Sequence, residues 1–294
     1  MIAGGDLGKR TAVAAVGIPL AFLLIYLGGW PLTLGLAVLG GLAVRELFLL
    51  AAARDLNVFT WMGILGAVVL ILLAGEFRSL QAFAPWGFGT LIGLLLLTFT
   101  AAIWLRWPGG RPLSEVAITV FGALYVGGCL SFGVFLRHLP DAAWELGPSP
   151  PLFGPMLLAF PLVVTWVGDS AAYFFGNWVG KRKLLLAVSP GKTVAGGVAG
   201  LVGSLLTGTA GGWFFLAIHP QPWASALLGG AIGLLLGVGA SVGDLAESVV
   251  KREAGVKDSA GVLPGHGGFL DRLDALFFNL PLAYLLVYLA GFLP

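Results

Sequence analysis

Charged residues are scarce in this chain: 10% of its 294 residues are Asp, Glu, Lys or Arg, against about 25% in a typical soluble domain. With 58% hydrophobic residues, it lacks the polar groups needed to cover a water-facing surface, and disorder is excluded as well. A single cysteine excludes a disulfide scaffold, and a net charge of +2 is too small for nucleic-acid binding. The mean hydropathy of +0.97 therefore predicts an integral membrane protein.

Long uncharged runs indicate which class of membrane protein to expect. A membrane-spanning helix needs about 20 apolar residues, and residues 11–44 contain no charge at all. Such runs predict helices rather than the short alternating strands of an outer-membrane barrel. Turn residues and charges divide the chain into nine predicted spans: 11–27, 32–53, 58–75, 86–105, 114–139, 152–179, 194–217, 223–251 and 269–291. The predicted fold class is an all-α polytopic integral membrane protein with about nine transmembrane helices.

The basic residues predict the orientation of these spans. With nine spans and a cytoplasmic N-terminus, 14 of the 16 Lys and Arg residues fall in cytoplasmic segments or at their helix ends. Only Arg78 and Arg137 fall elsewhere. Because cytoplasmic loops are enriched in Lys and Arg, we predict that the N-terminus is cytoplasmic and the C-terminus is outside.

Glycine is abundant, with 46 residues, and some of it is periodic. Small residues recur at every fourth position in the predicted spans 194–217 and 223–251: Gly196 and Gly200, Gly208 and Gly212, and Gly229, Gly233, Gly237 and Ser241. Small residues at this spacing let helix backbones approach closely. We interpret them as helix-packing positions.

The scarce charge is concentrated near the end of the chain. Residues 244–274 hold 10 of the 30 charged residues, and the 51 residues before them hold none. We therefore place this segment where the cytoplasm meets the bilayer. If the segment begins as a helix, Asp244 and Ser248 share one face with Lys251 or Arg252.

Further polar residues of this segment are typical of a metal–polyphosphate site. Asp271 and Asp274 lie three apart at the start of the last predicted helix. Before them, Pro264-Gly265-His266-Gly267-Gly268 is a loop whose backbone N–H groups can approach an anion closely. Carboxylates hold Mg²⁺, the metal bridges phosphate oxygens, and Lys and Arg neutralise the remaining charge.

A second polar patch lies on the same predicted cytoplasmic side. It contains Gly168-Asp169-Ser170, the basic triplet 181–183, and Ser189-Pro190-Gly191-Lys192-Thr193. The last segment leads into a glycine-rich helix, whose N-terminus favours phosphate, although the spacing of a P-loop is missing. An ionisable residue within a span, such as Asp169, is a functional candidate. We interpret the basic triplet as an orientation signal or a contact for anionic lipid.

The polar pattern of residues 248–274 resembles the signature of phosphatidate cytidylyltransferases, also called CDP-diacylglycerol synthases. It reads Ser248-Val-Val-Lys251-Arg252, four residues, Lys257-Asp258, five residues, Pro264-Gly265-His266-Gly267-Gly268, two residues, and Asp271-Arg272-Leu273-Asp274. All polar residues of the signature are in register over these 27 positions.

Two upstream segments resemble other motifs of this family. They are Gly168-Asp169-Ser170-Ala-Ala-Tyr173 and Ser189-Pro190-x-Lys192-Thr193. Arg45-Glu46 also resembles a family feature at the end of the second helix, and we interpret Glu46 as the partner of a local ion pair. The chain departs from the family at Ala195, where a Glu is usual.

The resemblance implies a reaction, its partners and a location. CTP and phosphatidate would give CDP-diacylglycerol and pyrophosphate with Mg²⁺, with or without a second cation. The expected protein is a multi-pass homodimer of the inner (cytoplasmic) membrane that binds CTP, phosphatidate and membrane lipid but no nucleic acid. Residues 1–150 would form a scaffold, dimer and lipid-facing region of about five spans. Residues 151–294 would form the catalytic region of about four spans, with the site facing the cytoplasm.

The resemblance also implies roles for individual residues. Asp244 and Asp271 would be the metal ligands, brought together by the last two spans. The implied catalytic residues are Asp244, Lys251, Arg252, Asp258 and Asp271. The implied substrate-binding residues are Asp169, Ser189, Lys192, Thr193, Ser248, Lys257, His266, Gly267, Arg272 and Asp274.

Two alternative functions stay open at this stage. A secondary transporter of an anionic substrate would use the charged segment as its binding site, although the chain shows no repeated second half. A related cytidylyltransferase acting on another lipid phosphate, such as an ether lipid, would carry the same polar signature. The signature contacts phosphates and metal, not the lipid tails.

Overall fold

The computed structural model describes residues 4–143, 152–216, 221–260 and 267–291, with side chains for 15–139, 152–214, 221–260 and 267–291. Nearly all of it is helical: α1 (Gly4–Leu27), α2 (Gly29–Ala52), α3 (Thr60–Phe77), α4 (Leu80–Leu105), α5 (Pro112–Gly122), α6 (Cys129–Ala143), α7 (Phe153–Val179), α8 (Val194–Gly211), α9 (Pro222–Glu253) and α10 (Leu270–Ala290). Two π-helical segments extend these helices: Ala123–Gly128 joins α5 to α6, and Gly212–Leu216 follows α8.

Eight helical stretches in the described part of the chain are long and apolar enough to cross a membrane. They are α2, α3, α4, the continuous stretch Pro112–Leu139, α7, α8 with its π-helical extension, α9 and α10. Each overlaps one predicted span, from 32–53 to 269–291, so the prediction of an all-α polytopic membrane protein is confirmed. The remaining predicted span, 11–27, lies in α1, where Ala15–Leu27 forms a shorter apolar helix.

A short antiparallel hairpin that the sequence did not predict lies between α7 and α8. Strand β1 (Lys183–Leu185) pairs with β2 (Ser189–Thr193), with Lys183 opposite Thr193. The hairpin leads directly into α8, and Thr193 is the N-cap of that helix: its Oγ1 accepts a hydrogen bond from Gly196 N at 3.1 Å. A hydroxyl in this position satisfies an N–H group that the helix itself leaves unpaired.

The chain forms two compact units. Unit 1 comprises Met1–Phe135 and Val250–Leu273, and unit 2 comprises Leu136–Val249 and Asp274–Pro294. The core of unit 1 includes Phe48, Ala67 and Ile71, each at most 2% exposed. Because the chain passes from one unit to the other within α9 and again within α10, the residues of the polar signature are divided between the units.

Glycine allows the helices of unit 2 to pack closely. A Cβ added to Gly208 in α8 would lie 2.7 Å from the Cα of Gly233 in α9. A Cβ added to Gly200 would lie 3.2 Å from the Cβ of Ala172 in α7. A side chain at either position would push the helices apart, so the predicted packing role of these small residues is confirmed.

Candidate active site

The predicted site residues are divided between the two units. Unit 1 contains Lys251, Arg252, Lys257, Asp258, Gly267, Asp271 and Arg272, and unit 2 contains Asp169, Ser189, Lys192, Thr193, Asp244, Ser248 and Asp274. His266, which was also predicted, lies outside the described residues. The binding of one metal ion by Asp244 and Asp271 together stays a prediction.

Seven of the predicted site residues belong to two clusters. The Asp271 cluster, in unit 1, consists of Glu46, Lys251, Ser259, Gly268 and Asp271. The Asp244 cluster, in unit 2, consists of Asp169, Lys192, Asp244, Ser248 and Asp274.

The carboxylate of Asp271 accepts four hydrogen bonds from the described residues. Its Oδ1 accepts one from Lys251 Nζ at 2.6 Å. Its Oδ2 accepts from Ser259 N at 3.0 Å, Ser259 Oγ at 2.8 Å and Gly268 N at 2.8 Å. The side chains of Asp271 and Lys251 are only 9% and 12% exposed. Each carboxylate oxygen has about two acceptor sites. The three donors on Oδ2 therefore saturate it and hold the group in one orientation, whereas Oδ1 accepts only from Lys251 among the described residues and keeps an acceptor site for a ligand.

Local backbone geometry brings these donors to Asp271. Lys251 lies in the last turn of α9, and Asp271 lies in the first turn of α10. Gly267 has a φ of 77°, in the left-handed region that glycine adopts without a steric penalty. A Cβ at Gly267 would lie 2.7 Å from Asp271 Oδ2. The turn therefore needs a glycine both for its φ and for its close approach to the carboxylate.

Glu46, in α2, does not form the expected ion pair with Arg45. It is 1% exposed, and its partners among the described residues are Ser259 Oγ at 3.0 Å, Phe269 N at 3.0 Å and Leu270 N at 2.8 Å. The expectation was wrong because the two side chains leave the helix in different directions: Arg45 is exposed. Two sequence signals point to this role: a carboxylate within an apolar helix, and the resemblance of Arg45-Glu46 to a family feature.

The other predicted residues of unit 1 lie at the surface. Arg252, Lys257, Asp258 and Arg272 are exposed. Arg252 donates from Nη1 to the carbonyl oxygen of Val256 at 3.1 Å, which ties it to the chain just after α9. Exposed cationic groups next to the buried Asp271 cluster suit a surface that receives phosphate groups.

The carboxylate of Asp244 has fewer contacts. Its Oδ2 pairs with Lys192 Nζ at 2.8 Å, and its Oδ1 accepts a hydrogen bond from Ser248 Oγ at 3.4 Å. The second contact confirms that Asp244 and Ser248 share one helix face. The Asp244 side chain is 43% exposed, so water and small ions can reach it.

The Asp244 cluster brings several charged groups together. Asp169 interacts electrostatically with Asp274, Asp244 and Lys192. Within the described part of unit 2, three carboxylates therefore face one ammonium group in this cluster.

The segment 189–193 lies before a helix N-terminus, as predicted. Lys192 reaches from β2 to Asp244, whereas the hydroxyl of Thr193 caps α8 and is 6% exposed. Ser189 lies at the other end of β2 and is partly buried. The predicted substrate contacts of Ser189 and Thr193 stay predictions.

The donor chemistry of both clusters fits Mg²⁺. No group of three His, Cys, Asp or Glu side chains in the described ranges is arranged to hold a metal ion by itself. Mg²⁺ is commonly bound through one or two carboxylates together with substrate phosphates. Asp244 and Asp271 both offer carboxylate oxygens. Each already forms an ion pair with a lysine, Asp244 with Lys192 and Asp271 with Lys251.

Comparisons with known proteins agree with the resemblance in the sequence. The model of the cytidylyltransferase family matches residues 8–290. A phosphatidate cytidylyltransferase of Synechocystis is 35% identical over 297 residues, covering 96% of each protein. A protein of the same name from Bacillus subtilis is 32% identical over 288 residues, covering 97% of this chain and 98% of the relative. One from Staphylococcus haemolyticus is 30% identical, covering 95% and 98%.

Proposed function

Since this chain belongs to the cytidylyltransferase family, we propose that it acts as a phosphatidate cytidylyltransferase. It converts CTP and phosphatidate to CDP-diacylglycerol and pyrophosphate, a step of phospholipid biosynthesis. The observation that carries this conclusion is the similarity, over nearly the whole chain, to relatives with that name. The complete polar signature in residues 248–274 supports it.

The chemistry requires charge neutralisation more than a strong base. A phosphate oxygen of phosphatidate attacks the α-phosphorus of CTP, and the bond from that phosphorus to the departing pyrophosphate breaks. A phosphate monoester has a second pKa of about 6, so it is mostly dianionic at pH 7. The obstacle is that about four negative charges on CTP must meet about two on the lipid. The enzyme must hold these anions in line and compensate their repulsion.

The residues of both clusters supply what this reaction needs. Asp244 and Asp271 are the proposed ligands of Mg²⁺, which when bound neutralises phosphate oxygens. Lys192 and Lys251 hold positive charge against these carboxylates and are proposed to contact substrate phosphates.

Three exposed cations and three further polar residues complete the proposed site. Arg252, Lys257 and Arg272 are exposed cations that would bind phosphate oxygens. Asp258, His266 and Asp274 are proposed to line the pocket.

The membrane placement follows from the charge distribution. We propose nine spans with a cytoplasmic N-terminus and an outside C-terminus, because this places 14 of 16 basic residues on the cytoplasmic side. CTP is soluble whereas acyl chains stay in the bilayer, so the site must open to both at the cytoplasmic face. The family resemblance supports a homodimer in the inner membrane.

A direct assay tests this function. Purified protein in detergent is incubated with CTP, phosphatidate and Mg²⁺, and both CDP-lipid and pyrophosphate are measured. Equimolar release of both products is expected only when all three components are present. Absence of product with a lipid that a verified relative converts would overturn the proposal and favour an anion transporter. Competition between ester and ether lipid phosphates identifies the preferred lipid class.

A further inference from the structure

Glu46 is a buried carboxylate that the proposed chemistry does not use directly. It lies in α2, yet its hydrogen-bond partners are 213 to 224 residues away in the chain. Burying a carboxylate is costly unless it is well hydrogen-bonded. Three donors from described residues, Ser259 Oγ, Phe269 N and Leu270 N, satisfy this one.

These contacts are directed at the start of α10. The first N–H groups of a helix have no partner within the helix, and a negative charge near them is favourable. Gly268 N donates to Asp271, while Phe269 N and Leu270 N donate to Glu46. The two carboxylates thus divide three consecutive N–H groups between them, which fixes the direction in which α10 begins.

Ser259 links the same two carboxylates. Its Oγ lies 3.0 Å from Glu46 Oε2 and 2.8 Å from Asp271 Oδ2, and its N–H donates to Asp271. The hydroxyl has one hydrogen, so it donates to one carboxylate at a time. A Cβ on Gly268 would overlap both Glu46 Oε2 and Ser259 Oγ. Gly268, Glu46 and Ser259 are therefore packed so closely that a side chain at position 268 would displace Glu46 or Ser259.

We propose that Glu46 is a positioning residue: it clamps Ser259 and the start of α10 so that Asp271 keeps the orientation required for the reaction. Glu46 acts through these groups and contacts neither substrate. This inference rests on the proposed function and extends it, because it assigns a role at the site to a residue of an N-terminal helix outside the polar signature.

The test compares two matched variants, Glu46→Gln and Glu115→Gln. Glu115 is also a buried carboxylate of unit 1, 2% exposed. It accepts backbone N–H groups from Asn57 and Arg111 and also pairs with Arg106 Nε at 2.9 Å, so its loss should destabilise the fold at least as much as the loss of Glu46. It lies in the first turn of α5 and contacts no member of the Asp271 cluster among the described residues. Both variants lose a buried negative charge that faces N–H donors, so each is expected to unfold at a lower temperature.

Only Glu46→Gln is expected to change the reaction. At a temperature where both variants are fully folded, kcat should fall at least tenfold for Glu46→Gln and less than twofold for Glu115→Gln. The KM for CTP should change less than threefold in both. The affinity for Mn²⁺, titrated by electron paramagnetic resonance without lipid, should fall at least fivefold for Glu46→Gln alone. This last measurement does not depend on turnover.

The outcomes separate the two proposals. If wild-type protein makes no CDP-lipid, the proposed function is wrong. The Mn²⁺ titration alone then tests whether Glu46 positions Asp271. If wild-type protein is active while folded Glu46→Gln keeps both kcat and Mn²⁺ affinity within twofold, the positioning role is wrong. Should Glu46→Gln not fold, Ser259→Ala decides: a fall in kcat of at least threefold supports the clamp, and an unchanged kcat overturns it.

Discussion

Asp271 and Asp244 are held in opposite ways. Asp271 is 9% exposed and accepts four hydrogen bonds from described residues. Asp244 is 43% exposed and has a lysine and a weak serine contact. The protein therefore orients the first carboxylate before any ligand arrives, whereas the second is accessible and interacts with further carboxylates. If both carboxylates hold Mg²⁺, the Asp271 cluster fixes the orientation of one ligand, and the Asp244 cluster supplies an exposed negative charge as the other.

The largest effect is expected from Asp271→Asn. This change removes the negative charge that faces Lys251, so the free energy of unfolding should fall by about 3 kcal/mol. Turnover should fall by about 100-fold or more, as when another electrostatic stabiliser is removed from a site. Thermal unfolding in detergent and CDP-lipid formation measure the two effects. Near-normal turnover at limiting Mg²⁺ would remove Asp271 from the list of ligands.

Asp244→Asn should affect activity without a matching loss of stability. Turnover should again fall by about 100-fold, but the exposed pair with Lys192 stabilises the fold by no more than about 1 kcal/mol. The unfolding temperature should therefore stay close to that of the wild type. If this variant were destabilised as strongly as Asp271→Asn, the contrast between the clusters would not hold.

Gly267→Ala tests the geometric part of the comparison, with Gly255→Ala as its control. Both glycines have positive φ, 77° and 75°, so each alanine should cost about 1–2 kcal/mol of backbone strain. A Cβ added at Gly267 would lie 2.7 Å from Asp271 Oδ2, whereas a Cβ added at Gly255 would have no described atom within 4 Å. Turnover should thus fall about tenfold only in Gly267→Ala, since a displaced group loses its alignment. Equal turnover in both variants would show that the orientation of Asp271 is unimportant.

The smallest effect is expected from Lys192→Ala, which tests the role of charge in the Asp244 cluster. Removing the only lysine of the Asp244 cluster should weaken phosphate binding and raise the KM of CTP or phosphatidate by about fivefold, the equivalent of roughly 1 kcal/mol. The kcat should change less. Steady-state kinetics with each substrate varied in turn measure this effect. Unchanged kinetics would leave Lys192 as a surface charge that serves only to balance Asp244.

Much of the fold was predictable because apolar runs long enough to span a bilayer have few alternatives. The spans from 32–53 to 269–291 agree with the observed helices to within three residues at each end, except that α4 begins six residues before the predicted span 86–105. The four-residue glycine spacing indicated the close contacts between α8 and α9. The hairpin of β1 and β2 was missed. Its strands have only three and five residues, too few for a pattern of alternation to stand out.

The candidate site was predictable in its members and not in its contacts. The sequence predicts both Asp271 and Lys251 as site residues, but their direct pairing depends on how α9 and α10 meet within unit 1. Ser259 directly follows the signature residue Asp258, but the polar signature does not include it. Glu46 was assigned to a local ion pair, since a sequence shows which residues are neighbours along a helix and not which face is buried.

By itself, the sequence determined the membrane class, the position of most spans and the family, since these depend on composition, run length and residues close together in the chain. Only the tertiary structure decided which donors each carboxylate receives. Hydrogen bonds act over about 3 Å, and the donors to Glu46 lie more than 200 positions away from it along the chain. Packing alone brings such groups within that distance.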